Sequence, residues 1–289
     1  MKQIMKKASF ALFMCGLLTS NLHAEVVIVT SIAPLALIGK AIVGEHGVVS
    51  SLVDAKQSGH EYSMRPFDRI EIEKAELLVW VDPGFEYYLS DVFEEQAEQT
   101  QLITFSSLPN VKLERETTGE LDPHMWLNTG NAAVLAEEIA LVVSVLDQEN
   151  KNYFAENLEK FKAELVELEA KIAEDLVPAE SYNYAVYHNA YRYFEEQFGL
   201  RHSIVLLQIP DSQPNVQEIL RVRKSIQELK PRCLLTEFDS NPAIIETMLD
   251  GMEMETPIVD TLGYQVNSAS DGYLELMRNL ADQFNQCVK

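Results

Sequence analysis

The segment NKNYFAENLEKFKAELVELEAKIAEDL, residues 150–176, decides how this chain is organised. Its apolar side chains recur every three or four residues: Phe154, Leu158, Phe161, Leu165, Leu168, Ile172 and Leu176. That spacing places them on one face of an α-helix whose other face is charged, and Pro178 closes the run. Such a helix spans roughly 40 Å. We interpret it as a rigid spacer between two lobes, with a surface helix or short coiled coil as the alternative.

Strands and helices alternate on both sides of this helix, which predicts an α/β fold with parallel sheets. The predicted strands are 25–31, 48–53, 77–81 and 102–105 before it, and 184–187, 203–207, 233–237 and 257–260 after it. We therefore expect two lobes with parallel sheets flanked by helices, joined by one long rigid helix. The expected parts are an N-terminal lobe at 25–147, an interlobe helix at 148–177 and a C-terminal lobe at 178–289. An uninterrupted helix predicts limited hinge motion.

The first 24 residues have the pattern of a secretory signal peptide. Lys2, Lys6 and Lys7 precede an apolar stretch at 8–18, and a small-residue cleavage pattern ends at Ala24. This predicts a periplasmic protein that begins at Glu25. A lipid anchor on Cys15 is the alternative, which the bulky Met14 before it disfavours.

The chain is strongly acidic, with 23 Lys+Arg against 45 Asp+Glu and a net charge of −22. Removal of the three lysines of the signal peptide makes the mature charge −22 − 3 = −25. Such a surface repels phosphate groups, which argues against nucleic acid or an anionic membrane as a partner. A hydrophobic fraction of 47% excludes disorder. We expect a soluble monomer that attracts cations.

Two cysteines, Cys233 and Cys287, remain after the signal peptide. An even number in an oxidising compartment predicts a disulfide. A cysteine-containing metal site is the alternative, but neither residue has a Cys or His close to it in the sequence.

Three histidines lie near the ends of predicted strands or in their loops: His60, His124 and His188. Parallel sheets present ligands beyond the carboxyl ends of their strands, so the three are candidates for one metal site. Three imidazoles and one oxygen form a tetrahedral zinc shell. Asp260 is the candidate for the fourth position, unless it caps the following turn, and Glu237 is a weaker candidate. His46 and His202 are interpreted as surface histidines.

Five motifs together resemble the metal-specific solute-binding proteins of ABC importers (cluster A-I), in particular the zinc branch of ZnuA type. They are TSIAPL at 30–35, GHEYSMRPFD at 59–68, DPHMWL at 122–127, YHNAYRYF at 187–194 and VDTLG at 259–263. The motifs are spread over nearly the whole mature chain, in family order, and flank a long helix that resembles the interlobe helix of that family.

The resemblance implies a protein that carries Zn²⁺ as cargo to a membrane permease. It implies His60, His124 and His188 as metal ligands, with Asp260, a water or Glu61 as the fourth. It also implies a disulfide between Cys233 and Cys287. Two features depart from many zinc members: residues 106–120 contain no histidine, and Gly59 stands where some members have an acidic residue.

Three alternative functions follow from the same residues. Manganese or iron is the alternative cargo, although a histidine at the third ligand position resembles zinc binders. A zinc-dependent hydrolase would use the open fourth position, but the chain has no His-Glu-x-x-His motif or nucleophile elbow. An adhesin resembling some family members would be favoured by a lipid anchor. We expect a binding protein rather than an enzyme.

Overall fold

The computed structural model describes residues 25–55, 57–116, 118–176, 183–209, 212–266 and 270–288. The predicted signal peptide at 1–24, with Cys15, lies outside the described residues, and so does Pro178. The lobe boundaries at 147 and 178 stay a prediction.

The N-terminal lobe is built on a four-stranded parallel sheet with the strand order β2-β1-β3-β4. Its strands are β1 (Val26–Thr30), β2 (Gly47–Ser51), β3 (Leu77–Trp80) and β4 (Gln101–Thr104). Around it lie α1 (Ala33–Val43), α2 (Pro66–Lys74), α3 (Ser90–Gln96) and α4 (Thr129–Leu146). In register, Ile28 of β1 lies opposite Val49 and Leu77. All three side chains are buried, as expected of a parallel sheet covered on both faces.

The long helix α5 (Lys151–Leu176) begins within one residue of its predicted start. The predicted stripe is its core face, since Phe154, Phe161, Leu165, Leu168, Ile172 and Leu176 are buried and Leu158 is partly buried. The helix packs against α1 and α4 of the N-terminal lobe. Its buried side belongs to one hydrophobic cluster that contains residues of both lobes, so the helix joins the two lobes rather than lying isolated at the surface.

The C-terminal lobe repeats the topology of the first. Its strands are β5 (Ala185–Val186), β6 (Ile204–Val205), β7 (Leu234–Glu237) and β8 (Ile258–Val259), all parallel, in the order β6-β5-β7-β8. Its helices are α6 (Arg192–Phe198), α7 (Val216–Leu229), α8 (Pro242–Leu249) and α9 (Gly272–Val288). Helix α9 packs on α5 and α1. The strand order, counted from the first strand of each lobe, is the same in both sheets.

The sequence at 85–99 predicts a helix, but α3 starts only at Ser90. The cause is Glu86, whose buried carboxylate accepts hydrogen bonds from the backbone N–H groups of Val81 and Asp82. These bonds fold residues 82–89 into turns before the helix. Burial raises the pKa of Glu86 to about 7.

Helix α4 is apolar and long enough, by composition alone, to cross a membrane. In the structure it packs against α1 and α5, with Leu135, Ile139 and Val143 buried. Asn128 caps its first turn by accepting a hydrogen bond from the N–H of Asn131. It is therefore a core helix of the N-terminal lobe.

The predicted disulfide joins Cys233 to Cys287, with their Cα atoms 5.5 Å apart. It ties the residue before β7 to the last turn of α9. Both cysteines are buried.

Candidate metal centre

The three predicted histidines meet between the two lobes. His60 lies in the loop after β2, His124 immediately before a short 3₁₀ turn (Met125–Leu127), and His188 two residues after β5. One ring nitrogen from each lies within 4.8 Å of one from each of the others. Among the described residues they are the His, Cys, Asp and Glu side chains that form such a group. The prediction that these histidines converge is therefore correct.

The spacing of two of the rings suits a tetrahedral ion. The Nε2 atoms of His124 and His188 lie 3.3 Å apart. Two imidazole nitrogens bound to one tetrahedral zinc at 2.0–2.1 Å would be separated by about 3.3 Å. The ring centroid of His60 lies 5.4 Å from that of His124 and 5.5 Å from that of His188, which leaves all three rings around one point.

The loop of His124 is fixed by Asp122, two residues before it. The fully buried carboxylate of Asp122 lies 2.8 Å from Nδ1 of His124 and also accepts a hydrogen bond from its backbone N–H. A proton held on Nδ1 leaves Nε2 free for the metal. Trp126 supports the same loop, because its indole N–H donates to the carbonyl oxygen of Thr261 and its own carbonyl oxygen accepts from Tyr273.

The ring of His188 is fixed by Glu237, the last residue of β7. Oε2 of Glu237 lies 2.9 Å from Nδ1 of His188, and Oε1 accepts a hydrogen bond from the hydroxyl of Tyr191. Burial works against the charged form of His188, but the Glu237 carboxylate outweighs it and raises the pKa of His188 above its usual value. Burial alone would raise the pKa of Glu237, whereas His188 and Tyr191 lower it. Glu237 therefore supports a histidine and is not one of the clustered ligands.

His60 is held by its backbone and by an aromatic contact. The hydroxyl of Tyr88 donates to the carbonyl oxygen of Gly59, and the N–H of His60 donates to Oγ of Ser58. The imidazole meets the ring of Phe85 edge to face, with centroids 5.0 Å apart. Burial, together with the neighbouring His124 and His188, lowers the pKa of His60 to about 2. The imidazole is therefore neutral and able to bind a metal across the physiological pH range.

The candidates for the fourth ligand lie in different surroundings. Asp260 directly follows β8 and borders the same cavity as the triad, but its two oxygens accept hydrogen bonds from four backbone N–H groups, those of residues 262–265. Glu61 is exposed. A Cβ at Gly59 would lie 3.1 Å from the Phe85 ring, so an acidic side chain there would have to displace that ring. Asp260 as a ligand stays a prediction.

The two remaining histidines lie outside the triad. His46 is partly buried and meets the ring of Tyr153 edge to face. His202 is also partly buried, and its Nδ1 lies 2.8 Å from the buried carboxylate of Glu195. Both are partly exposed and lie at the surface, as interpreted from the sequence, but each also contacts a neighbouring side chain.

The space at the triad is small. A cavity of about 30 Å³, bordered by His60, His124 and His188, connects the two lobes. A wider recess of about 530 Å³ is bordered by the same histidines and by Glu116 and Glu120. The inner cavity has the volume of a single ion or water rather than that of an organic substrate.

Residues 28–287 match the family described as ZnuA, the periplasmic zinc-uptake complex component A. The high-affinity zinc uptake system protein ZnuA of Brucella abortus (strain 2308) is 26% identical over 320 residues, covering 96% of each chain. The protein of the same name from Yersinia pestis is 29% identical over 294 residues, covering 92% of each chain.

Solved structures share the fold. A crystal structure of ZnuA superposes with a TM-score of 0.81 at 21% identity, covering 92% of this chain and 100% of that one. The periplasmic zinc-binding protein TroA from Treponema pallidum superposes with a TM-score of 0.82 at 16% identity, covering 92% and 99%. These likenesses confirm the predicted two-lobed α/β fold.

Proposed function

The chain belongs to the ZnuA family of periplasmic zinc-uptake components, and on that premise we propose that it captures one Zn²⁺ between its lobes for delivery to an ABC importer. The ligands of this proposal are His60, His124 and His188. The proposal rests mainly on the 3.3 Å separation of the Nε2 atoms of His124 and His188, with the ring of His60 beside them. The buried carboxylates of Asp122 and Glu237 contact Nδ1 of His124 and His188, respectively, and balance the charge of the ion.

The donor set supports zinc over the alternative cargoes manganese and iron. Manganese prefers carboxylate, carbonyl and water oxygens, whereas zinc binds well to imidazole. The clustered ligand atoms of the described residues are all imidazole nitrogens. The fourth ligand is Asp260, a water or Glu61. For Asp260 to bind, its carboxylate would have to share or exchange the backbone N–H groups that it now accepts from.

The same contacts favour binding over catalysis. A hydrolytic zinc site needs a general base beside the metal-bound water. The carboxylates of Asp122 and Glu237 are each bonded to Nδ1 of a ligand histidine, and that of Asp260 accepts hydrogen bonds from backbone amides. We therefore assign the protein to transport rather than to hydrolysis. We expect the protein to act in the periplasm as a monomer, with the membrane permease of the importer as its partner.

A competition titration tests the cargo. The purified, metal-stripped protein is titrated with Zn²⁺ against a chelating indicator, with and without excess Mn²⁺. We expect submicromolar one-to-one binding of zinc that manganese does not displace. A preference for Mn²⁺ would move the protein to the manganese alternative, and the absence of tight binding of either ion would contradict the proposed function.

The support of His188 by Glu237 predicts a pH effect. Zinc binds His188 only when Nε2 has lost its proton, so affinity falls as the pH drops through the raised pKa of His188. In Glu237→Gln the neutral amide no longer raises that pKa. We expect the affinity at pH 8 to fall about tenfold, because loss of such a support weakens metal binding. When the affinity of each protein is normalised to its own value at pH 8, the loss of affinity on acidification should begin at a lower pH in the variant than in the wild type.

The control for this experiment is Glu246→Gln, the same substitution at an exposed position of α8. It should match the wild type in affinity and pH profile from pH 5.5 to 8. A Glu237→Gln variant with the wild-type profile would show that Glu237 does not set the proton competition at His188.

A further inference from the structure

The loop that follows β4 makes hydrogen bonds to the C-terminal lobe beside the triad. The carboxylate of Glu116 in this loop accepts hydrogen bonds from Nδ2 of Asn189, at 2.8 Å to each of its oxygens. Its Oε2 also accepts from Nη2 of Arg192 at 3.3 Å. Asn189 directly follows His188, so Glu116 holds the turn that carries a metal ligand.

A second contact links the same arginine to the other ligand loop. Nε of Arg192 lies 3.7 Å from Oδ2 of Asp122, the residue whose other oxygen orients His124. Both atoms are buried, and neither makes a hydrogen bond within the described part of the chain. Each therefore depends on the opposite charge of the other. These contacts form a continuous path between His188 and His124. The path passes through Asn189, Glu116, Arg192 and Asp122, and the contact between the two imidazoles closes it into a ring.

The backbone holds Glu116 in place. Its N–H donates to the carbonyl oxygen of Glu120, and its own carbonyl oxygen accepts from the N–H of Gly119. Two residues earlier, the N–H of Glu114 donates to the hydroxyl of Tyr193 in α6, which in turn donates to the carbonyl oxygen of Asp122. The position of the Glu116 side chain is thus set by a turn that is itself bonded to the C-terminal lobe.

Side-chain exposure separates this contact from an ordinary surface ion pair. Glu116 and Arg192 are 30% and 28% exposed, and Asp122 is fully buried. The neighbouring cross-lobe pair of Lys112 and Glu196 is about half exposed on both sides, where such pairs contribute little. The contact at Glu116 is therefore the one suited to fixing the distance between the lobes at the triad.

We infer that Glu116 is a positioning residue, which through Asn189 and Arg192 holds the His188 turn of the C-terminal lobe against the His124 loop of the N-terminal lobe. It presets the separation of the two imidazoles before zinc arrives and retards zinc release. This inference rests on the proposed function. A purely electrostatic role at the surface recess would instead attract cations and act on the association rate.

Stopped-flow kinetics separate the two roles. Zinc dissociation is measured with a chelator in excess and association by mixing with Zn²⁺, for Glu116→Ala and the control Glu120→Ala. Glu120 borders the same recess, but its exposed side chain is bonded to Thr118 rather than to the C-terminal lobe. We expect Glu116→Ala to raise the dissociation rate about tenfold, the effect of losing a metal-site support. Its association rate and both rates of Glu120→Ala should stay within about twofold.

Two further variants test positioning itself. Glu116→Gln retains one oxygen for Asn189 and should restore part of the slow dissociation. The effects of Glu116→Ala and Asn189→Ala should be non-additive in the double variant, because the two residues share one contact. A wild-type dissociation rate in Glu116→Ala, or an equal rise in Glu120→Ala, would overturn this inference alone. If the wild-type protein itself failed to hold zinc, the proposed function would be overturned as well.

Discussion

Replacement of His124 by alanine is expected to lower the affinity for zinc by about two to three orders of magnitude. Structural zinc sites in small peptides bind with about 10–16 kcal/mol from four ligands, or roughly 2.5–4 kcal/mol per ligand, and each 1.4 kcal/mol is a factor of ten. His124 brings its Nε2 within 3.3 Å of that of His188, so its loss leaves a two-histidine site. Titration of the metal-stripped variant with zinc against an indicator measures the effect.

Two control variants separate ligand loss from misfolding. His124→Ala leaves the buried carboxylate of Asp122 without its partner, whereas His124→Asn supplies an amide that can still donate to it. Both should lose zinc, and the asparagine variant should retain more of the metal-free stability. His46→Ala removes a histidine outside the triad and should bind as the wild type does. Wild-type affinity in His124→Ala, or zinc loss in His46→Ala, would contradict the assignment.

Removal of the disulfide is expected to lower the free energy of unfolding by about 4 kcal/mol, from the chain-entropy relation for a loop of this size. Cys233 and Cys287 are 54 residues apart in the sequence and both are buried. Urea unfolding of the Cys233→Ser/Cys287→Ser variant should therefore have a midpoint well below that of the oxidised wild type, with a steeper slope because the unfolded chain without the bond exposes more surface.

The reduced wild type provides the matched comparison, because it lacks the bond but keeps both buried sulfurs. It should unfold close to the double variant, which loses slightly more because serine hydroxyls replace buried thiols. The double variant should not respond to reductant. Coincident unfolding curves for oxidised wild type and double variant would mean that the bond does not constrain the unfolded chain.

Elements with a clear amphipathic pattern could be predicted from the sequence, and elements buried on several sides could not. Helix α5 has a charged face and an apolar stripe, and α7 has a similar contrast, so their bounds were predictable. Helix α4 was not predicted, because apolar residues occur all around it, including the exposed Leu141 and Val145. Its N-cap, Asn128, followed by a long run without proline, was the available signal.

His188 was predictable because it lies two residues after β5 and parallel strands present their carboxyl ends to a shared cleft. His60 and His124 lie in longer loops, nine residues after β2 and 20 residues after β4, and were identified through the motifs that resemble the family. The residues that orient these imidazoles were harder to predict from the sequence. Asp122 could have been inferred from its position two residues before His124, a spacing at which a carboxylate reaches the backbone N–H. Glu237 lies 49 residues from His188, and Glu116 lies 73 residues from Asn189. No local pattern brings such residues together, so their roles depend on the docking of the two lobes.

Zinc coordination by the three histidines can be tested with a crystal structure of the zinc-loaded protein and anomalous diffraction measured on both sides of the zinc absorption edge. We expect one strong anomalous peak between the lobes, about 2.0–2.1 Å from a ring nitrogen of each of His60, His124 and His188. The same map would identify the fourth ligand as Asp260, a water or Glu61. A zinc peak elsewhere, or one coordinated by fewer than three of these histidines, would show that the triad is not the zinc site.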